Sequence, residues 1–237
     1  MKKRIKYFNK CFLSILLVLI GSYVMGRPGL PVVTASSTGL DIAWAIKNQV
    51  RTPSCIMSTI CYLQSKGSDG KWKTVDATKS LIQRIQWDPD TKMERYLFRF
   101  IGGLKHGITF LSMEQPDPND DIQFVYVPAL RRPRAVGAQD LQNDYEDTDF
   151  TYEDLGSRKI GRYDYKRLPD ESYRGVPSYV IEGTMKDKTN ARKPVLKSWV
   201  SKKELITIKT IYYDRNNRHV RSFYCRNIRL KGNINTP

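Results

Sequence analysis

The stretch Phe124-Val-Tyr-Val-Pro-Ala-Leu-Arg-Arg-Pro-Arg134 and the stretch Asp149-Phe-Thr-Tyr-Glu-Asp-Leu155 decide the fold of this chain. The first begins with four aromatic or β-branched residues, which favour an extended strand. Pro128 cannot donate a ladder hydrogen bond, so an edge or a turn should follow that strand. Three arginines then precede an acidic and aromatic segment, and the two stretches together form one supersecondary unit.

Alternation with a period of two runs along most of the chain and predicts a long antiparallel meander. One amphipathic helix is predicted at residues 39–50, ahead of Pro53. A first strand is predicted from residue 54 to a turn signal at residues 67–70. Further strands are predicted at residues 82–87, 95–101, 108–114, 123–130, 159–168, 178–185, 195–200, 206–214 and 220–230. The acidic residues 140–155 suit a short helix or a covering loop, and the whole pattern is typical of a sandwich or an incompletely closed barrel.

Aromatic and aliphatic side chains recur on consistent faces of these predicted strands. Two interpretations remain open: a packed core, or a concave sheet whose inner face lines an apolar cavity. The candidate cavity residues are Tyr96, Phe98, Phe100, Phe110, Phe124, Tyr126, Tyr179, Ile181 and Ile208.

The N-terminus has the pattern of a secretory signal. Four lysines and Arg4 precede an apolar run at residues 12–25, which is short for a bilayer span, and Val33-Thr34-Ala35 offers small residues for cleavage. We predict a signal peptide at residues 1–35 and an exported domain at residues 36–237, with an uncleaved signal anchor as the alternative. Cys11 precedes the apolar run, so it cannot carry the lipid of a lipoprotein.

The chain of 237 residues carries a formal net charge of +16. Residues 1–35 contain six Lys or Arg and no acid, so the exported domain keeps +10. A net positive charge of this size favours binding to nucleic acid, to an anionic membrane surface or to an acidic protein. Export argues against nucleic acid, and neither zinc-ligand spacing nor an RNA-binding motif is present. Diffuse charge on a solvated face is the alternative to transient contact with an anionic membrane surface.

The sequence offers little catalytic chemistry. Its two histidines, His106 and His219, lack ligand spacing to the cysteines, and neither a nucleophile elbow nor a glycine-rich phosphate loop occurs. We therefore predict no catalytic residues, no metal and no cofactor. The acidic residues 144–154 lack the spacing of a calcium loop and suit an internal partner for the three arginines.

Three cysteines follow residue 35, and their pairing is open. On one strand, Cys55 and Cys61 would lie roughly 20 Å apart at about 3.3 Å per residue, too far to bridge. Either could meet Cys225, and free buried cysteines are the alternative.

Two motifs resemble those of the outer-membrane lipoprotein-sorting protein family, in its LolA-like branch. The first, Tyr-x-Pro-Ala-Leu-Arg-Arg-x-Arg, is matched here by Tyr126, Pro128, Ala129, Leu130, Arg131, Arg132 and Arg134. The second is matched by Asp149, Phe150, Thr151, Tyr152, Glu153, Asp154 and Leu155. The likeness is fainter elsewhere, and two departures affect the local loops. Pro133 replaces an apolar residue, and Asp147-Thr148 replaces a Gly-Ser pair.

The resemblance implies a curved antiparallel sheet forming a half-open barrel under helices or loops. It also implies a periplasmic carrier that holds the acyl chains of a lipid or lipoprotein without covalent chemistry, beside a membrane exporter of the resistance-nodulation-division type. Two other classes stay open. One is an envelope adaptor or stress sensor that binds protein through the same fold. The other is a lipid hydrolase in which Tyr152 and nearby carboxylates do acid–base work.

Overall fold

The computed structural model describes residues 32–48, 54–66, 68, 71–86, 88, 90, 91, 93–146, 148–189 and 191–225. Within them the chain forms one α-helix and two curved antiparallel sheets that do not close into a barrel. The predicted fold class, mainly β with a half-open curved sheet, is confirmed.

The first sheet, which we call the N-terminal sheet, is a meander whose strands pair in chain order. Its strands are β1 (Ser54–Lys66), β2 (Trp72–Gln86), β3 (Glu94–Phe100), β4 (Thr109–Met113), β5 (Ile122–Val127) and β6 (Arg132–Ala135). Strand β2 starts well before residue 82, where alternation predicted it. Residues 72–81 are mostly polar or charged and show no regular apolar alternation. Pairing with the long strand β1 holds them extended.

The second sheet, the C-terminal sheet, has the order β11–β10–β9–β8–β7. Its strands are β7 (Tyr163–Tyr173), β8 (Val176–Met185), β9 (Val195–Ser201), β10 (Thr207–Tyr213) and β11 (His219–Tyr224). The predicted last strand therefore ends at Tyr224, and residues 226–230 lie outside the described part of the chain.

Helix α1 (Gly39–Lys47) starts at a capping box. The Asp41 amide donates to Thr38 Oγ1 (3.2 Å) and the Thr38 amide donates to Asp41 Oδ2 (2.7 Å). A Cβ atom at Gly39 would lie 2.6 Å from the backbone carbonyl carbon of Lys166 on β7. Glycine therefore lets the helix lie directly on the sheet backbone.

The inner face of the C-terminal sheet is the face that carries α1. Ile42 and Ala43 of the helix are buried there with Ile181 and Val200 of the sheet. Burial of such apolar surface, at about 25 cal/mol per Å², holds a nine-residue helix that would be marginal alone.

The inner face of the N-terminal sheet is the face on which residues 141–157 pack. Cross-strand register places Ile82, Phe98, Phe110 and Val125 in one row, and each is at most 9% exposed. Burial alternates along β4 and β5 with a period of two. The period of two in the sequence therefore corresponds to a sheet with one buried face.

Strand β6 was not predicted, because Pro133 between two arginines shows no apolar alternation. It pairs with β5 through Tyr126 and Pro133 and forms an edge of the sheet with all four residues exposed. Proline is tolerated on an edge strand. Residues 128–130 form a 3₁₀ turn that ends at Arg131 in the left-handed region (φ 52°), so the strand predicted to residue 130 stops at Val127.

The residues before the helix are fastened to the C-terminal sheet. Arg167 Nη1 donates to the carbonyl oxygens of Thr34, Ala35 and Ser37, each at 3.0 Å. The carbonyl of Val33 accepts from Tyr179 Oη (3.3 Å), and the Val33 side chain packs on the core beneath α1. Most of the predicted signal peptide lies outside the described residues, but these last positions are part of the packed domain.

We therefore predict that export leaves Val33 in the mature chain, with cleavage upstream of the Val33-Thr34-Ala35 site. Cleavage after Ala35 would remove the Tyr179 bond and two of three Arg167 bonds, each worth about 1 kcal/mol net. N-terminal sequencing of the exported protein checks this. A first residue at Ser36 would contradict it, and Arg167→Gln should then destabilise the protein only slightly.

Candidate functional site

The candidate site is an aromatic cluster on the inner face of the N-terminal sheet. Phe98 and Phe100 meet edge to face with ring centroids 4.9 Å apart. Tyr145 lies against both rings (6.1 Å) and against Phe110 (5.7 Å), and Tyr152 completes the cluster 5.5 Å from Tyr145. Such pairs add about 0.5–1.5 kcal/mol each beyond area burial. Tyr145 is the central ring and is 2% exposed.

Tyr145 and Tyr152 come from an irregular segment, residues 141–157, which we call the cover segment. Within it, the amide of Tyr145 donates to the carbonyl of Phe150 (2.6 Å) and the amide of Tyr152 donates to the carbonyl of Asn143 (3.2 Å). A single bridge pairs Asp144 with Thr151. Of the two predicted forms, a short helix or a covering loop, the segment is a covering loop with one 3₁₀ turn at Glu153–Leu155. Its own hydrogen bonds hold both tyrosine rings against the sheet.

Asp154 fastens the cover segment to the C-terminal sheet. Arg221 on β11 donates to both carboxylate oxygens (2.8 and 2.9 Å), and Lys193 ahead of β9 forms a second ion pair. Arg221 also donates to the carbonyl of Asp149 (2.5 Å). Burial alone would raise the pKa of Asp154, but the Lys193 charge and the Arg221 bonds outweigh it and hold that pKa well below its usual range.

Asp121 fastens the far end of the cover segment to the N-terminal sheet. It accepts hydrogen bonds from the amide and the hydroxyl of Ser157 (2.6 and 2.8 Å) and from Ser112 Oγ (3.1 Å). Lys159 Nζ pairs with it at 2.5 Å, and both side chains are more than nine-tenths buried. The cover segment is therefore held by the buried carboxylate of Asp121 and by the largely buried carboxylate of Asp154.

A polar pocket of about 120 Å³ lies beneath the end of the cover segment, between the two sheets. Its lining includes Asp121, Gln123, Asp154 and Lys193. Gln123 is 3% exposed, and its Oε1 has no hydrogen-bond partner among the described residues. A pocket of this size and polarity suits a few waters and is well below the roughly 300–1,000 Å³ of ordinary ligand sites.

The predicted cavity residues do not line one space. Phe98, Phe100 and Phe110 share the inner face, but Tyr145 and Tyr152 fill the space above them. Phe124 and Tyr126 were assigned to the same cavity, and that prediction was wrong. Gln123 and Val125 of β5 point inward, so Phe124 and Tyr126 lie on the outer face.

The remaining predicted positions lie in three other places. Tyr96 shares the inner face but donates to Glu94, which also pairs with buried Arg84. Tyr179 and Ile181 pack under α1. Ile208 belongs to a separate cluster with Val180 and Trp199. Alternation predicted which residues share a face of their own strand, whereas the register between strands decides which of them are in contact.

The predicted ion pairs between the motif arginines and the cover segment had the wrong partners. Arg134 Nη2 donates to Tyr152 Oη (3.2 Å) and its guanidinium lies 5.9 Å from that ring, so Arg134 does contact the cover. Within the described residues, no ion pair joins Arg131, Arg132 or Arg134 to Asp149, Glu153 or Asp154. Lys193 and Arg221 take Asp154 instead, and no local motif marks those two cations.

Two ionisable side chains of the cover segment, Tyr152 and Asp154, have pKa values shifted away from neutral pH. Burial raises the pKa of Tyr152 above its ordinary value near 10, and Arg134 offsets only part of that rise. Asp154 stays ionised between two cations. Neither group changes its protonation near pH 7, as a general acid or base should. The described residues contain no cluster of three or more His, Cys, Asp or Glu placed to hold a metal.

Cys55 and Cys225 are free thiols, whereas the side chain of Cys61 lies outside the described part. None of the helices described here is long and apolar enough to cross a membrane.

A family model with the description "Uncharacterized protein" matches residues 92–237. The chain belongs to that family. The match begins near β3 and includes the aromatic cluster, the cover segment and both of its carboxylate anchors. No protein with a curated description matches the chain in sequence.

Three solved structures share the fold. A DUF1329 family protein from Desulfovibrio piger is 22% identical with a TM-score of 0.69, covering 78% of this chain and 76% of that one. A domain described as an outer membrane lipoprotein-sorting protein, from Vibrio parahaemolyticus, is 21% identical with a TM-score of 0.69, covering 80% and 77%. A LolA superfamily protein from Nitrosomonas europaea is 15% identical with a TM-score of 0.52, covering 79% and 76%. The resemblance to the lipoprotein-sorting proteins is confirmed for the fold.

We predict that Asp154→Asn destabilises the protein by about 3–5 kcal/mol, because it leaves Lys193 and Arg221 buried without a countercharge. Asp144→Asn is the matched control in the same segment. Its ion pair with Arg192 is more than half exposed on both sides, so its loss should cost at most about 1 kcal/mol. Urea unfolding at neutral pH measures both, and equal small effects would contradict the anchor.

The same variant tests the pH dependence. Because the folded-state pKa of Asp154 is depressed, its ionised form stabilises the fold above the ordinary value near 4, and this contribution is lost as the pH falls below that value. The difference in free energy of unfolding between the wild type and Asp154→Asn should therefore be largest at neutral pH and shrink below about pH 4.

Proposed function

We propose that this protein is an exported, periplasmic carrier that holds acyl chains of a lipid or lipoprotein on the inner face of the N-terminal sheet. One observation carries the proposal: the aromatic face is closed by Tyr145, a ring delivered by a loop and not by the sheet itself. The fold shared with a lipoprotein-sorting protein domain and a LolA superfamily protein supports it. An exporter of the resistance-nodulation-division type as partner rests on the family resemblance alone.

In this proposal Tyr145 and Tyr152 occupy the acyl site when cargo is absent. Their rings keep Phe98, Phe100 and Phe110 out of water, so the empty protein does not expose this apolar face. An acyl chain that replaces the two rings recovers about 25 cal/mol per Å² of apolar surface it buries. Only the difference in free energy between burying the acyl chain and burying the two rings drives loading. A small difference suits a carrier that must also release its cargo.

The cover segment has the polar anchors such an exchange needs. Asp121 and Asp154 hold the end near residue 157 through largely buried groups, whereas the Asp144–Arg192 ion pair in the part that carries Tyr145 is more than half exposed on both sides. The part that carries Tyr145 can therefore swing while its end stays attached. Loosening the Asp154 anchor should make that movement easier.

A fluorescent fatty acid tests the proposal with a matched pair of variants. Phe110 and Phe124 lie on neighbouring paired strands but face opposite sides of the sheet. We predict that Phe110→Gln weakens probe binding about tenfold or more, since one phenyl contact with the chain is lost. Phe124→Gln on the outer face should bind as the wild type does. Far-UV circular dichroism confirms that each variant is folded.

Two further measurements keep the test decisive if Phe110→Gln does not fold. Asp154→Asn should take up the probe faster than the wild type, whereas Asp144→Asn should not. Mass spectrometry of the purified exported protein should find lipid or acylated peptide bound. A wild type that neither binds the probe nor carries acyl ligand would leave the inner face as plain core and favour the protein-binding adaptor.

A further inference from the structure

Two neighbouring turns at one end of the N-terminal sheet expose large aliphatic side chains. Leu104, in the turn between β3 and β4, is 94% exposed, and Leu130, in the turn between β5 and β6, is 56% exposed. Ile101 at the end of β3 is 37% exposed. We call this end of the sheet the leucine tip. Burying a leucine side chain is favourable, so its exposure in water forgoes that stabilisation.

The leucine tip is built rigidly. The Gly107 amide donates to the carbonyl of Phe100 (2.8 Å), and the Ile101 amide donates to the carbonyl of Lys79 on β2 (2.8 Å). Gly107 has φ +85°, and a Cβ atom there would lie 2.9 Å from Cγ of Pro128 in the other turn. The two turns therefore touch, and the exposed leucines are held in place before any partner arrives.

Cations without ion-pair partners surround the leucine tip. Lys79 on β2, Arg99 on β3, Arg131 in the second turn and Arg132 on β6 are all exposed. None of the four forms an ion pair with any residue in the described part of the chain. An exposed cation that is not used inside the fold is available for an external anion.

The opposite end of the same sheet is acidic. Asp88 and Asp90 lie in the turn between β2 and β3, and Asp120 lies in the turn between β4 and β5. Successive turns of a meander alternate between its two ends, so these acids lie a full strand length from the leucine tip. The part of the sheet formed by β3, β4, β5 and β6 therefore has one apolar, basic end and one acidic end, and an anionic surface would orient it.

We infer that the leucine tip docks on the surface of an anionic phospholipid bilayer, with Leu104 and Leu130 entering the acyl boundary and the four cations facing lipid phosphates. Exposed aliphatic side chains ringed by Lys and Arg are what an interfacial site requires. A second copy of the chain is a poor occupant, because tip-to-tip contact would bring eight like charges together.

The location of the tip also bears on the acyl site. Lys105 in the first turn donates to the carbonyl of Glu146, next to Tyr145 in the cover segment. A molecule docked by its leucine tip would therefore hold the cover beside the lipid surface. This consequence rests on the proposed acyl-carrier function, whereas the docking itself does not.

Flotation of the full exported protein with vesicles tests the docking. Wild-type protein should float with vesicles of equal parts phosphatidylcholine and phosphatidylglycerol, and far less with phosphatidylcholine alone. Leu104→Ser together with Leu130→Ser should lower the partition coefficient by at least about tenfold. Arg131→Gln and Arg132→Gln should each lower it about fivefold, and added salt should weaken the wild type.

Matched controls come from the other ends of the molecule. Ile56→Ser removes an aliphatic side chain that is 70% exposed near the acidic end of the sheet. Lys203→Gln removes a cation that is 86% exposed on the C-terminal sheet. Both controls should float as the wild type does. Circular dichroism should show all variants folded, because each altered side chain is exposed.

Each other outcome would overturn the inference. Wild-type protein that ignores anionic vesicles, or tip variants that float as well as the wild type, would exclude docking through this tip. Loss of a dimer on Leu104→Ser, seen by light scattering without any vesicle binding, would assign the tip to a second copy. Fatty-acid binding measured on the same tip variants should be unchanged, so failure here and failure of the acyl site are distinguishable.

Discussion

The largely buried carboxylate of Asp154 holds the cover segment and the C-terminal sheet together. It receives Arg221 from β11 and Lys193 from the turn before β9, while its own segment carries the tyrosines that close the N-terminal sheet. A buried charge without partners costs several kcal/mol, so none of these three parts can shift alone without exposing a countercharge. The two sheets share this constraint through the cover segment. Asp121 forms a second ion pair close to the same end of the cover segment, with Lys159 as its partner.

The extent to which the sequence determined this fold differs between features. Alternation located most strands, because one dry face imposes a period of two, and the acidic stretch was correctly expected to cover a sheet. Strand β6 was missed, since Pro133 and its flanking arginines carry no apolar signal. The prediction that Phe124 and Tyr126 lie on the inner face was wrong. Alternation shows which residues of one strand share a face, but it does not show which of the two faces is the inner one; the pairing with the next strand decides that. Lys193 and Arg221 lie 39 and 67 residues from Asp154, so no local pattern reveals them.

Proteins that are identical at only about a fifth of their positions can share a fold, while the side chains that fill it differ from one sequence to the next. Here the inner face is occupied by rings from the protein's own chain, and a small polar pocket lies beside them. The apolar inner face and the charged joint between the sheets are separate environments. Substitutions on the inner face can therefore leave the charged joint unchanged, since different residues form each.

Strand β6 also decides how the molecule can associate. A bare sheet edge presents unpaired amides and carbonyls that another chain can extend, which is a common route to aggregation. This edge is four residues long and fully exposed, with Pro133 lacking an amide hydrogen and arginines on both sides of it. An incoming strand would find too few donors in register and would bring its own backbone beside two positive charges. The half-open sheet can therefore remain open in a crowded compartment without recruiting a neighbour along that edge.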